Sequence, residues 1–145
     1  MTTVHDVAAY VLKRQGPMST MRLQKLVYYC QAWHLVWEDH ALFDARIEAW
    51  ANGPVCPELY RRHRQMFGVA SWPDGDVGRL AQNERDTMDV VLDFYGPRDA
   101  QWLSDLTHME RPWREARGDL LDGAPSRREI TRPAIQEYYA NLPRK

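Results

Sequence analysis

The feature that most constrains the fold is a long apolar stripe near the N-terminus, which predicts a buried helix. Ser19 or Thr20 is placed to cap the start of this helix, and we expect it to reach about Asp39. Its other side carries Arg22, Lys25, Gln31 and Glu38, which we expect to face water. The stripe itself has the three-to-four residue spacing of a buried helical face and consists of Leu23, Leu26, Val27, Cys30, Trp33, His34 and Trp37.

Further helices are predicted between Gly/Pro breaks on both sides of this one. Val4 to Gln15 is the first, and Gly16-Pro17 ends it. Asn83 and Asp99 are placed to cap two later helices, of which the second points Trp102 inward. The later helices are expected at 57–67, 84–95, after 99, at 112–117 and at 130–142. Six or seven helices joined by short turns predict a mainly α, single-domain bundle that spans residues 1–145.

Residues 47–60 change character three times and predict a strand–turn–helix corner. Ile47 to Trp50 alternates apolar and polar residues, as a half-buried strand does. Asn52-Gly53-Pro54 is a turn, because Asn and Gly tolerate positive φ and Pro restricts its neighbour. Pro57 suits the first turn of a helix, and Gly68 is placed to end that helix. We therefore expect a small β-hairpin or strand near residues 45–55.

Composition excludes several classes of protein. No apolar run approaches the ~20 residues that cross a bilayer, and the N-terminus has no signal-peptide pattern. Cys30 and Cys56 do not make a disulfide framework, so we expect a reduced, cytoplasmic protein. His34 and His40 are six residues apart and so do not share a helix face, which leaves no metal site or cofactor to predict.

The charge is balanced overall but uneven along the chain. The formal net charge is −1, which argues against nucleic acid as a partner. Residues 73–107 carry three arginines against eight acidic residues, whereas both flanks are mildly basic. Arg61, Arg62 and Arg64 form a basic helical turn beside Tyr60. Such a turn could be a solvated face near a helix C-terminus, or it could bind an acidic protein surface or phosphates.

One group of residues permits an enzymatic hypothesis. Asp105, His108 and Glu110 could place a base beside an acid that orients it. The structural alternative is that these residues cap helix ends and that Trp113 belongs to the core. The sequence contains no G-x-S-x-G motif, no glycine-rich phosphate loop and no nucleophile with an evident base, so we predict no catalytic residue.

Five segments, in this order and spacing, resemble the Panacea domain family, also called SocA-like or GepA-like domains. They are L-Q-K-L-V-Y-Y at 23–29 with Gln31, A-L-F at 41–43, I-E-A-W-A-N-G-P-V at 47–55 with Glu58-Leu59-Tyr60, L-T-H-M-E-R-P-W-R-E-A-R at 106–117, and the tyrosine pair at 138–139. The resemblance covers nearly the whole chain. Ala41 stands where the family commonly has Pro, and Asn52 stands where it commonly has an aromatic residue, which alters the surface of the turn.

The resemblance implies an antitoxin of bacterial or phage toxin–antitoxin systems that neutralises its toxin by direct protein contact. The cognate toxin would then be encoded next to this chain, and the oligomeric state stays open, with a homodimer as one option. A binding surface of this kind needs aromatic and arginine anchors. Alternatives are an acid–base enzyme, an adaptor that delivers a partner to a protease, and a DNA-binding autoregulator. The candidate partner-binding residues are Trp50, Asn52, Gly53, Pro54, Tyr60, Arg61, Arg64, His108 and Trp113.

Overall fold

The computed structural model describes residues 2–142 and confirms a mainly α, single-domain fold with a small β component. Within these residues there are seven α-helices, one 3₁₀ turn at Val77–Arg79 and five short strands. The helices are α1 Val4–Gln15, α2 Thr20–Glu38, α3 Pro57–His63, α4 Gln82–Tyr95, α5 Ala100–Met109, α6 Arg111–Arg117 and α7 Arg132–Ala140. The strands are β1 Met18–Ser19, β2 Ile47–Trp50, β3 Gly53–Val55, β4 Gly68–Val69 and β5 Glu129–Ile130.

Helix α2 is the centre of the core, and it is buried on nearly all sides rather than on one face. It packs against α1, α4, α5, α7 and β3. Ser19 caps its start, as predicted, by accepting a hydrogen bond from the backbone of Arg22. The prediction that Lys25 and Gln31 face water is wrong, because each is only 1% exposed. Helices α5 and α7 and strand β3 also pack against α2, so that residues outside the apolar stripe are buried as well.

Gln31 is buried because it binds the backbone of the loop that follows α2. Its Oε1 accepts from the amide of Leu42 at 2.7 Å, and its Nε2 donates to the carbonyl of Phe43 at 2.8 Å. These bonds satisfy both the side-chain amide and the loop backbone away from water. The loop is thereby fixed just before β2 begins.

The predicted strand–turn element is a three-stranded antiparallel sheet in the order β3-β2-β5. Strands β2 and β3 form a hairpin in which Trp50 pairs with Gly53, and β5 pairs Ile130 with Ile47. A separate pair, β1 with β4, joins Met18 to Val69. The small sheet therefore ties the C-terminal part of the chain to the corner at residues 47–60.

Several predicted boundaries are shifted. Helix α3 ends at His63 instead of near residue 67, because Gln65 takes a positive φ of 67° and Gly68 then enters β4. Ala81, not Asn83, precedes α4, and the Glu84 side chain accepts from the amide of Ala81 at that helix start. Helix α7 is shorter than the predicted 130–142 at both ends, and it starts later because Ile130 pairs with β2 and Thr131 caps the helix.

Two tryptophans that the helical spacing places inward are partly exposed. Trp37 is 43% exposed near the end of α2, and Trp102 is 37% exposed on α5. The guanidinium of Arg98 lies over the indole of Trp102, with Cζ 4.6 Å from the ring centroid. None of the helices in residues 2–142 is long and apolar enough to cross a bilayer.

Candidate functional site

The β2–β3 hairpin forms the corner, and Gly53 determines how closely this hairpin approaches the helices behind it. The φ of Gly53 is +125°, a conformation that glycine adopts readily and other residues rarely do. A Cβ atom here would lie 2.5 Å from Cε of Lys25 and 3.2 Å from Oγ1 of Thr107. Glycine is therefore required both by the backbone conformation and by the contact with α2 and α5.

Trp50 is half-buried and connects the hairpin to α3. Its Nε1 donates to Oε1 of Glu48 at 2.8 Å, and the other carboxylate oxygen of Glu48 lies 2.8 Å from Nε of Arg46. The indole meets the ring of Tyr60 edge-on, with the centroids 4.9 Å apart. These contacts fix the indole within the corner itself.

Helices α5 and α6 support the hairpin from behind by binding its backbone carbonyls. Oγ of Ser104 donates to the carbonyl of Asn52 at 3.0 Å, and Nε1 of Trp113 donates to the carbonyl of Trp50 at 2.8 Å. The ring of His108 lies against Trp113, with the centroids 4.0 Å apart. The turn is therefore held through its backbone, which leaves the side chain of Asn52 exposed.

The three residues of the acid–base hypothesis have separate partners. Nδ1 of His108 lies 2.6 Å from the carbonyl oxygen of Ser104, and Nε2 lies 3.4 Å from that of Ala51. Asp105 accepts a hydrogen bond from a side chain one turn earlier on α5. Glu110 accepts hydrogen bonds from buried tyrosines instead. The structure thus does not bring the proposed base to its proposed acid, and His108 helps to hold the hairpin.

The predicted partner-binding residues lie in two layers of one corner. Gly53, Pro54 and Trp113 are buried and form the inner layer. The outer layer, which solvent reaches, consists of Trp50, Asn52, Tyr60, Arg61, Arg64 and His108.

Helix α3 and the residue that follows it supply the exposed cations of this outer layer. Arg62 pairs with Asp74, with an N–O distance of 3.2 Å. Arg61 and Arg64 are exposed and form no ion pair within residues 2–142. Their charges are therefore available to a partner.

A pocket of about 240 Å³ opens at the corner between the first turns of α2, the hairpin and α3. Gln24 belongs to its wall, yet its amide is already engaged. Its Oε1 accepts from the amide of Cys56 at 2.9 Å, and its Nε2 donates to the carbonyl of Cys56 and lies 2.9 Å from Nε2 of His63. Because that histidine nitrogen faces an amide donor, the neutral ring fits best. Burial accordingly lowers the pKa of His63.

Lys25 also lines this pocket, and it is the functional candidate that sequence reasoning missed. The side chain is buried, and its Nζ has one hydrogen-bond acceptor among the described residues, the carbonyl of Pro54 at 3.4 Å. An ammonium group has three protons to donate, so this amine is poorly satisfied. Burial lowers the pKa of Lys25 from 10.5 to about 8.

The sequence does contain a pattern that indicates burial of Lys25, separate from the apolar stripe described above. Tyr29 and Ala32 follow Lys25 at four and seven residues and are both completely buried. Residues at these spacings share one side of a helix. A second, partly apolar stripe on α2 therefore predicts that Lys25 is covered.

Another buried ionisable group, Glu110, lies among tyrosines between α2, α6 and α7. Its Oε1 accepts from the hydroxyls of Tyr29 and Tyr139, each at 2.7 Å. The hydroxyl of Tyr139 also lies 3.1 Å from that of Tyr28. Burial raises the pKa of Glu110, and the hydrogen bonds from Tyr139 and Tyr29 oppose this rise.

A larger apolar groove of about 520 Å³ lies elsewhere, between α2, α4 and α7. Trp37, Val90 and Phe94 line it and are 43%, 56% and 57% exposed. The pattern of α4 also places Asp86 and Asp93 beside Val90, four and three residues away along the helix. This groove contains none of the partner-binding residues that the sequence predicts.

Comparison with known families gives one match. The model described as "Antitoxin SocA-like, Panacea domain" matches residues 23–114, from α2 into α6. The match includes the hairpin, α3, Lys25 and Glu110. No curated protein and no solved structure matches the chain.

Proposed function

Because the chain belongs to the antitoxin SocA-like Panacea domain family, we propose that it is an antitoxin that neutralises a cognate protein toxin by direct binding. The contact surface in this proposal is the corner, defined by the outer layer of Trp50, Asn52, Tyr60, Arg61, Arg64 and His108. The toxin is the product of a gene adjacent to the one that encodes this chain.

The observation that carries the proposal is that this outer layer is fixed from behind. The carbonyls of Trp50 and Asn52 are bound by Trp113 and Ser104, and Gly53 lies directly against α2. A surface ordered in advance loses little side-chain and loop entropy on binding. Aromatic and arginine side chains around a pocket are also the residue types that dominate binding energy at protein interfaces.

The uncompensated arginines support the same surface. Arg61 on α3 and Arg64, which directly follows this helix, point to a partner whose facing surface is acidic, because complementary charge speeds encounter and excludes wrong partners. A toxin inhibited by occlusion needs no bond to be made or broken by the antitoxin. The separate partners of Asp105, His108 and Glu110 agree with that mode of action.

Co-expression with the product of the neighbouring gene tests the proposal. We expect that product to stop growth when it is expressed alone, and growth to return when this chain is co-expressed. A complex of the two purified proteins should elute together in size-exclusion chromatography. A harmless neighbour, or restored growth without any complex in a strain that retains its proteases, would contradict neutralisation by binding.

A paired set of variants tests the assignment of the surface. Tyr60→Ser with Arg61→Glu removes an anchor and reverses a charge at the corner, and we expect the toxin affinity to fall by a factor of about 30 or more, which corresponds to the ~2 kcal/mol of an interface hot spot. Phe94→Ser is the matched control, since it removes an exposed aromatic side chain in the groove instead. If Phe94→Ser lost toxin affinity while the corner variant kept it, the interface would have to be assigned to the groove instead of the corner.

A further inference from the structure

We propose that the pocket at the corner receives a carboxylate from the toxin, the side chain of an Asp or Glu, and that Lys25 is the cation that pairs with it. This inference rests on the proposed function, since it names the chemistry that the toxin must present at the same surface. It makes Lys25 a binding residue rather than a part of the core.

The first argument is the state of the amine. Lys25 is 1% exposed, and the described part of the chain offers it no carboxylate within ion-pair distance and only one carbonyl, at 3.4 Å. Buried charges in proteins are normally paired or well hydrogen-bonded, because an isolated one is costly to remove from water. A buried cation that lacks such partners in the free protein is expected to acquire them when a partner protein binds.

The second argument is the position of the amine. Lys25 lines the pocket of about 240 Å³, whose other walls include Trp50, Asn52 and Tyr60 of the outer layer. The pocket has room for a side chain but is less than half the size of the groove between α2, α4 and α7. A partner side chain that enters this pocket beside the packed rings of Trp50 and Tyr60 therefore lies next to Lys25.

The third argument distinguishes a carboxylate from a phosphate. Met21, Val55 and the two aromatic rings make much of the pocket apolar, and this suits the methylene stem of a glutamate. A phosphate has more oxygens to satisfy, whereas the amide of Gln24 is already bonded to Cys56. The exposed Arg61 and Arg64 lie outside the pocket, where they attract an acidic protein surface.

Gly53 connects the buried Lys25 amine with the hairpin that carries part of the outer layer. Because a Cβ atom at residue 53 would lie 2.5 Å from Cε and 3.2 Å from Nζ of Lys25, the glycine leaves the lysine stem its place under the hairpin. The turn thus holds the amine and also carries Asn52 of the outer layer.

The decisive experiment is a double-mutant cycle on the purified complex. Lys25→Met removes the charge and keeps the length of the side chain, and each Asp and Glu on the surface of the toxin is changed to Asn or Gln. We expect Lys25→Met to raise the Tm of the free protein and to weaken toxin binding by about 100-fold or more, as loss of one partner of a buried charge pair does. One toxin variant should cause a similar loss alone and little further loss in combination with Lys25→Met.

Three outcomes would overturn the inference. The first is Lys25→Met binding the toxin within a factor of three of the wild type. The second is additivity of Lys25→Met with every toxin variant. The third is a set of acid-to-amide toxin variants that all bind the wild type normally, a result that does not depend on how well Lys25→Met folds.

A last arm separates a phosphate site from a carboxylate site. Inorganic phosphate, compared with chloride at equal ionic strength, should neither raise the Tm of the wild type nor compete with the toxin. A rise in Tm that Lys25→Met abolishes would overturn the carboxylate assignment. Failure of the wild-type chain to bind the toxin at all would instead refute the proposed function.

Discussion

Lys25 lies on α2 and Glu110 packs against this helix; both are buried ionisable residues, but they differ in how well their hydrogen bonds are satisfied. Glu110 accepts two hydroxyl hydrogen bonds at 2.7 Å from Tyr29 and Tyr139. The Lys25 amine has one carbonyl at 3.4 Å. The tyrosine cluster is complete within this chain, whereas the corner contains a cation that still needs partners.

This difference separates a structural role from a binding role. A buried polar group whose hydrogen bonds are made stabilises a unique arrangement of helices. A buried charge without partners destabilises the free protein, so its presence points to a state in which it is paired. The comparison therefore makes opposite predictions for removal of the two groups.

Removal of the Glu110 carboxylate should have the largest effect. Glu110→Ala leaves a cavity and two buried hydroxyls without their acceptor, so we expect the free energy of unfolding to fall by about 3–5 kcal/mol. Glu110→Gln keeps the shape and one acceptor and also removes a charge that is costly to bury, so its loss should be smaller than that of Glu110→Ala. Chemical denaturation monitored by circular dichroism measures both values. A loss below about 1 kcal/mol in Glu110→Ala would show that the tyrosines do not depend on this carboxylate.

Removal of the Lys25 charge should have the opposite sign. Because the pKa falls from 10.5 to about 8 on folding, the unfolded chain binds more protons between these values, and stability rises with pH in that window. Such a shift corresponds to about 3 kcal/mol at neutral pH. Lys25→Met lacks this penalty, so it should be the more stable protein at pH 7.

The pH dependence provides the check. The stability advantage of Lys25→Met over the wild type should shrink as the pH rises from about 8 towards 10.5, because the wild-type amine becomes neutral. For Glu110, whose pKa is raised above 4.5, the stability of the wild type should instead fall as the pH rises from 4.5. An advantage of Lys25→Met that does not change with pH would show that the amine carries no penalty in the fold.

The contrast between these two residues also shows how far the sequence leads. The spacing of Leu23, Leu26 and Val27 correctly predicts α2 and its buried side, and Ser19 correctly predicts its start. One stripe cannot reveal that α5, α7 and β3 cover the other side, because those contacts join residues far apart in the chain. The spacing of this stripe alone therefore places Lys25 and Gln31 on the surface, where the structure does not.

In the candidate site, the hairpin could be predicted from local turn residues, whereas the contacts that support it depend on long-range packing. The structure confirms a turn next to the predicted Asn52-Gly53-Pro54, but shifts it by one residue: Ala51 and Asn52 form the turn, and Gly53 and Pro54 already belong to β3. That Trp113 supports the turn from behind depends on its bond to the carbonyl of Trp50, across 63 residues of sequence. The partial exposure of Trp37 follows from α4 and α7, which leave an open groove beside it.

Gly53→Ala should cost about 2–3 kcal/mol, because it combines backbone strain with a contact of 2.5 Å to Lys25. Gly53→Ala should also be measured in a Lys25→Ala background, because this second substitution removes the lysine atoms with which the new Cβ clashes. The penalty should then fall to the part that comes from the φ of +125° and from the 3.2 Å contact with Oγ1 of Thr107. An equal penalty in both backgrounds would show that the hairpin does not rest on the lysine stem.

The smallest effect is expected in the apolar groove, where neither kind of buried charge is present. Phe94 is 57% exposed, so Phe94→Ser should change the free energy of unfolding by no more than about 0.5 kcal/mol. It should also leave toxin affinity unchanged, because the groove lies apart from the corner, while it reduces the apolar surface that promotes self-association. Denaturation, toxin titration and light scattering at increasing protein concentration measure these three quantities. A large loss of stability would show that Phe94 belongs to the core of α4 and α7, and a loss of toxin affinity would mean that the groove and the corner act as one surface.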